Sequence, residues 1–145
     1  MINIKDLQPD QALKDLLDGK VEIALSSSDS RIAKVYKQGE RPNTALGDEF
    51  IDILYNGSIR SMTKPFGLYR GNLAITIYCK AQTDGTAKSN RINSMLSQVE
   101  SLSKNKLSGK FFFEVNEDNI ITPITTNATT GYSTIVLNIA WHTTE

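Results

Sequence analysis

One histidine and one cysteine in 145 residues leave little room for the commoner kinds of protein chemistry. A lone Cys79 excludes an internal disulfide and any multi-cysteine metal site. It stands among alternating apolar residues, where a thiol reads as an inert part of the core. His142 as the sole histidine leaves no zinc ligand set at any spacing and little from which to assemble a nucleophilic triad. No serine lies in a Gly-x-Ser-x-Gly elbow, and no Gly-x-Gly-x-x-Gly or Walker-type loop supports a nucleotide site. Excess charge is missing too. Sixteen basic and sixteen acidic residues cancel, and no Lys/Arg cluster is longer than two. That balance removes the footprint of a general nucleic-acid binder and of a protein drawn to anionic membrane. No apolar run approaches the ~20 residues a membrane span needs. The start, Met1-Ile2-Asn3-Ile4-Lys5-Asp6, lacks the basic-then-apolar order of a signal peptide, so a soluble, cytoplasmic chain is expected.

What is present is one globular domain. Hydrophobic residues make up 39% and charged residues 22%, over a length that can bury its own core as a single domain, 1–145. The best-patterned stretch runs from Gly71 to Lys104. Leu73, Ile75, Ile77 and Cys79 alternate with Ala74, Thr76, Tyr78 and Lys80, which is a strand signal. After a polar loop, Ile92, Met95, Leu96, Val99 and Leu102 recur at spacings of three and four, which predicts an amphipathic helix. Upstream, Asp10–Gly19 reads as a short helix with Pro9 at its start and Gly19 at its left-handed end. Val21–Leu25, Arg31–Lys37 and Glu49–Tyr55 read as strands, the second a short exposed edge. Asn56-Gly57 is a turn pair. Ser58–Arg70 reads as a long loop or protruding hairpin. Downstream, Lys110–Asn116 and Tyr132–His142 are strands, Asn119–Ile124 is a short extended piece, and Thr125–Gly131 is a polar loop. The expected fold class is α+β: a mostly antiparallel sheet with one long helix packed on one face and a short N-terminal helix.

Candidate chemistry is thin. His142 near the end of the last strand suits a solvent-facing side chain better than a base or ligand. Asp48, Glu49 and Asp52, and Glu114, Glu117 and Asp118, are the acidic groups; a paired-carboxylate site would need apolar surroundings that shift one of them. Asn56-Gly57-Ser58 and Asn127-Ala128-Thr129 match the glycosylation pattern by chance. Phe112 puts an aromatic on the second face of its strand, for burial on both sides or for a subunit contact. No enzyme, cofactor or metal is expected.

The order of elements supplies a resemblance. Arg31–Tyr36, a Pro-containing loop and Glu49–Leu54 resemble the front half of tail-terminator and tail-completion (minor tail) proteins of long-tailed phages. Gly71–Lys80, the loop Asp84-Gly85-Thr86-Ala87-Lys88-Ser89-Asn90-Arg91 leading into the helix, and the closing Gly131–Ile139 are also similar to that family. The N-terminal helix, ending early at Gly19, is shorter than the family's. The resemblance implies a structural protein in the virion tail, present in host cytoplasm during assembly. It would form homo-oligomeric rings, typically hexameric, that dock on the tail tube and head connector while DNA passes through as cargo. Interface residues are then expected at Arg60, Met62, Lys64, Phe66, Tyr69 and Arg70, with Phe112 and the Thr125–Thr130 loop as further choices; exposed aromatics interleaved with arginine are what interface cores favour. The alternative is a small-ligand or peptide-binding α+β module of a host pathway, with an apolar pocket beside the helix.

Overall fold

The computed structural model describes residues 4–25, 28–44, 46–63 and 68–144. After a 3₁₀ turn at Ile4–Asp6, the chain forms α1 (Pro9–Leu17), β1 (Glu22–Ala24), β2 (Ser30–Ile32), β3 (Lys34–Tyr36), β4 (Glu49–Tyr55) and β5 (Arg60–Thr63). It continues with β6 (Leu68–Lys80), α2 (Ser89–Ser103), β7 (Lys106–Ser108), β8 (Phe111–Val115), β9 (Ile121–Asn127) and β10 (Tyr132–Thr143). The main sheet has the order β3-β4-β6-β10-β8-β7, with β5 added to the outer edge of β6 and β9 to that of β10. All its pairings are antiparallel except β3 with β4. The class is mixed α+β, rich in strands, on a curled sheet.

Strands β6 and β10 pair along nearly their whole length, from Lys80 opposite Tyr132 to Arg70 opposite His142. Alternation then decides the core. Leu73, Ile75, Ile77 and Cys79 face the same side as Ile135, Leu137, Ile139 and Trp141, and all are buried. Ile51 and Ile53 from β4 and Phe113 from β8 extend that face. Against it lie Leu13 and Leu17 of α1 and Ile92, Met95 and Val99 of α2, each fully buried. Burial of each such side chain is worth roughly 1.5–3 kcal/mol relative to exposure. The cover is shared: α1, α2 and the separate β1–β2 hairpin all pack on this side, so a single long helix accounts for only part of it.

Local chemistry explains the ends of the helices. Pro9 occupies the first turn of α1, where its missing N–H is no loss, and Gly19 takes φ +75° just past the last turn. Helix α2 ends on Asn105 at φ 54°, so asparagine does there what glycine does after α1. The chain therefore turns before Ser108-Gly109, and Lys106–Ser108 forms an edge strand rather than a helix end.

Two expectations need correction. Arg31–Lys37 is two short strands, β2 and β3, in different sheets on either side of buried Ala33. The polar tract Thr125–Asn127 is part of β9, held in register by β10, with Thr126 opposite Ser133 and their hydroxyls 2.8 Å apart. Of the two readings of Ser58–Arg70, the hairpin is the one seen: β6 starts at Leu68, so Tyr69 and Arg70 are strand residues, and the antiparallel β5–β6 pairing makes an arm.

Parallel pairing of β3 with β4 forces the intervening segment to cross from one end of the strands to the other. Glu40 reaches back to Lys14 of α1, while around Arg41 the segment lies over the sheet face opposite the helices. Arg41 lies there with its guanidinium carbon 5.7 Å from the Phe50 ring centre and 5.2 Å from that of Tyr78. Phe50 and Tyr78 stack at 4.4 Å, with Tyr132 edge-on to both rings and Tyr36 edge-on to Phe50. The Tyr132 hydroxyl donates to the Gly47 carbonyl at 2.7 Å and pins the crossing segment.

Candidate functional site

The register of the central strands assembles one row of side chains on the face away from the helices. Arg60 is opposite Arg70, Arg70 opposite His142, and His142 opposite Phe112. The next row carries Asn72, Ala140 and Glu114. All of these residues but Phe112 line an open cleft of about 750 Å³. One wall is the β5–β6 arm with Arg60, Met62 and Arg70; the other is the β8–β9 turn with Glu117 and Asp118. Asn116 spans the floor, its amide donating to Asn72 Oδ1 at 2.9 Å.

The walls carry opposite charge, and no lysine or arginine pairs with an acid across them among the described residues. Arg60 and Arg70 are exposed, and among the described residues neither has an ion-pair partner. Directly opposed like charges in a ladder are unfavourable. Glu114, Glu117 and Asp118 are exposed as well; Glu114 Oε1 lies 4.0 Å from His142 Nδ1. His142 is half-buried and tilts against Phe112, ring centres 5.4 Å apart. Phe112 is thus neither wholly buried nor fully free.

The expected interface residues separate accordingly. Arg60, Met62 and Arg70 come together on the arm, with Met62 47% exposed. Tyr69 does not join them: its ring is half-buried against the core, and its backbone N–H donates to Thr143 Oγ1 at 2.8 Å. Lys64 and Phe66 lie outside the described residues.

The two acidic groups behave differently. Glu49 and Asp52 sit on opposite faces of β4 and cannot act as a pair. Glu49 is buried on the helix side, gripped by the Arg31 guanidinium and paired with Arg91 at 3.2 Å. The Glu49 hydrogen bond raises the Arg31 pKa further above its ordinary value. Burial, with Glu49's charge behind it, pushes the Cys79 thiol up, consistent with an unreactive core cysteine. Asp52 is buried on the other face, 3.6 Å from Arg41, and its Oδ1 has no hydrogen-bond partner among the described residues. Desolvation raises its pKa, and Arg41 opposes that. Among the described residues no group of three or more His, Cys, Asp or Glu is placed to hold a metal ion.

Sequence reasoning overlooked Arg31, Arg41 and Arg91, whose ion-pair partners lie 11 to 42 positions away and leave no local signature. A second cavity, about 600 Å³, lies beside the first half of α2 and is lined by Glu22, Ile23, Gln82, Lys88, Arg91 and Met95 among others.

No family model and no curated protein matches the chain. A solved structure whose name says nothing of its role shares the fold, with a TM-score of 0.62 and 13% identity over 99% of this chain and 98% of that one. At that identity the likeness speaks to fold alone.

Proposed function

We propose that this chain is a structural subunit of a phage or prophage tail, a ring-forming tail terminator or head–tail joining protein. It acts by self-association and by docking to the tail tube and head connector, with DNA as passing cargo. It resides in the virion tail and, during assembly, in the host cytoplasm. One observation carries the reading: the β5–β6 arm exposes Arg60, Met62 and Arg70 together, and no acid among the described residues neutralises the two arginines. A face of this composition suits burial against another protein. Self-association and docking need no catalytic group, so the proposal is of a protein that is not an enzyme and takes no cofactor. Among the described residues no helix is long and apolar enough to cross a membrane.

The test is light scattering coupled to gel filtration, with negative-stain images of the same fractions. Rings, or oligomers that grow with concentration, are the expected result. A strict monomer at high concentration that does not bind tail tubes would sink the reading.

A second reading, a small-ligand or peptide-binding module, draws support from the cavity beside α2, where Ile23, Ala87 and Met95 give an apolar part to the lining. It predicts a monomer or dimer whose melting temperature rises with ligand. Ala87→Glu, on the half-buried lining of that cavity, would remove such a rise and leave oligomers intact.

A further inference from the structure

We infer that the contact between copies is made by opposite walls of the cleft on the helix-free face: the arginine arm of one protomer docks on the acidic β8–β9 turn of the next. The inference rests on the proposed self-association and names the surface that performs it. Three observations converge on a second copy as the occupant. Arg60 and Arg70 stand opposite one another in the β5–β6 ladder without a counter-ion among the described residues, an arrangement that an acidic partner relieves. Glu117 and Asp118, with Glu114 beside them, are exposed on the other wall and have no lysine or arginine partner among the described residues. The chain therefore presents both halves of a complementary pair, although its overall charge is zero.

Apolar side chains border both halves. Ile59 and Met62 are 38% and 47% exposed on the arm side, and Ile120 and Ile121 are 43% and 37% exposed just beyond the acidic turn. Docking the arm on the turn would cover apolar surface along with the ion pairs, the anatomy of a protein interface rather than of a solvated salt bridge. Made reciprocally between two copies the contact would stop at a two-fold dimer; made in one direction it is head-to-tail. Such a contact closes into a ring when the rotation between copies divides a full turn.

The experiment is charge reversal with mixing. One variant carries Arg60→Glu and Arg70→Glu; the other carries Glu117→Lys and Asp118→Lys. All four positions are exposed, so each variant should fold, and circular dichroism and melting temperature check that it does. Each variant alone should associate at least about a hundredfold more weakly than the natural protein, since attractive pairs become repulsive. A 1:1 mixture should regain the oligomer, because the acidic arm of one variant fits the basic turn of the other. Raising salt should weaken the natural assembly. If the natural chain forms rings and both variants do so equally well alone, the cleft is not the interface while the ring reading stands. A natural chain that stays monomeric at low salt overturns both.

Discussion

The side chain of Gln98 pairs with the backbone of Glu22 as a neighbouring strand would. Its Oε1 accepts the Glu22 N–H at 2.7 Å, and its Nε2 donates to the Glu22 carbonyl at 2.7 Å. Strand β1 has β2 on one side only, and α2 supplies the missing partner on the other through one amide. Gln98→Ala removes both bonds and should destabilise the protein by about 1–3 kcal/mol. Gln98→Glu keeps an acceptor for the N–H but sets a carboxylate against a carbonyl. Amide exchange at Glu22 should therefore quicken strongly in the alanine variant and less in the glutamate variant, while amides in the β6–β10 ladder hardly change.

Gly71 and Trp141 face each other across the β6–β10 ladder with almost no space between them. A methyl group on Gly71 would lie 2.8 Å from Cζ2 of the indole and 2.9 Å from Nε1. Trp141 is fully buried and edge-on to Phe111 at 5.6 Å, so it has little freedom to withdraw. Gly71→Ala should cost about 1–3 kcal/mol through overpacking and shift the emission of the single tryptophan. Trp141→Phe combined with Gly71→Ala should recover part of that loss, seen as non-additivity in denaturant melts.

Strand β6 and helix α2 were legible because each carries its own period: two for Leu73–Cys79, and three or four for Ile92–Val99. Strand β9 was not, since Thr125, Thr126 and Asn127 have no apolar alternation and become a strand only by pairing with β10. The split of Arg31–Lys37 between two sheets was hidden for the same reason: the sheet each half joins is a tertiary choice. At the cleft, the basic arm could be read from Arg60 and Arg70. The acidic residues Glu114, Glu117 and Asp118 could not be set across from it in the sequence, because the Arg70–His142–Phe112 register that does so spans three strands.

Asp52 gives the fold a pH dependence of definite sign. Its folded pKa is raised above the ordinary 3.8, chiefly by burial, so the folded state holds the proton more tightly than the unfolded chain. Its contribution to stability is fully present below the unfolded pKa and is lost as pH rises through the folded value. Glu40 works the other way. Its hydrogen bond with Lys14, at 2.6 Å, lowers its pKa, and that contribution is lost as pH falls through the folded value. Asp52→Asn should flatten the decline in stability on the alkaline side of 3.8 and leave the acid limb in place. Denaturant melts across pH 3 to 7 measure both limbs; an unchanged profile would mean that Asp52 titrates as it does in the unfolded chain.

Glu49 is the test of what a buried charge does in this core. It is fully buried at the rim of the helix-side face, with Arg31 and Arg91 converging on it from β2 and α2. The cluster ties three elements that share no strand ladder with one another. Glu49→Ala leaves Arg31 and Arg91, both partly exposed to water, without their acceptor and should cost about 1–3 kcal/mol. Glu49→Gln keeps the shape and a carbonyl acceptor but withdraws the charge, so its loss should be smaller and Arg31 should become more mobile by NMR relaxation. Replacing Arg31 alone should fall between these, because Arg91 still holds the carboxylate at 3.2 Å. If all three variants melt with the natural protein, the cluster is only a tolerated burial and the β1–β2 hairpin depends on Gln98 and apolar packing for its position.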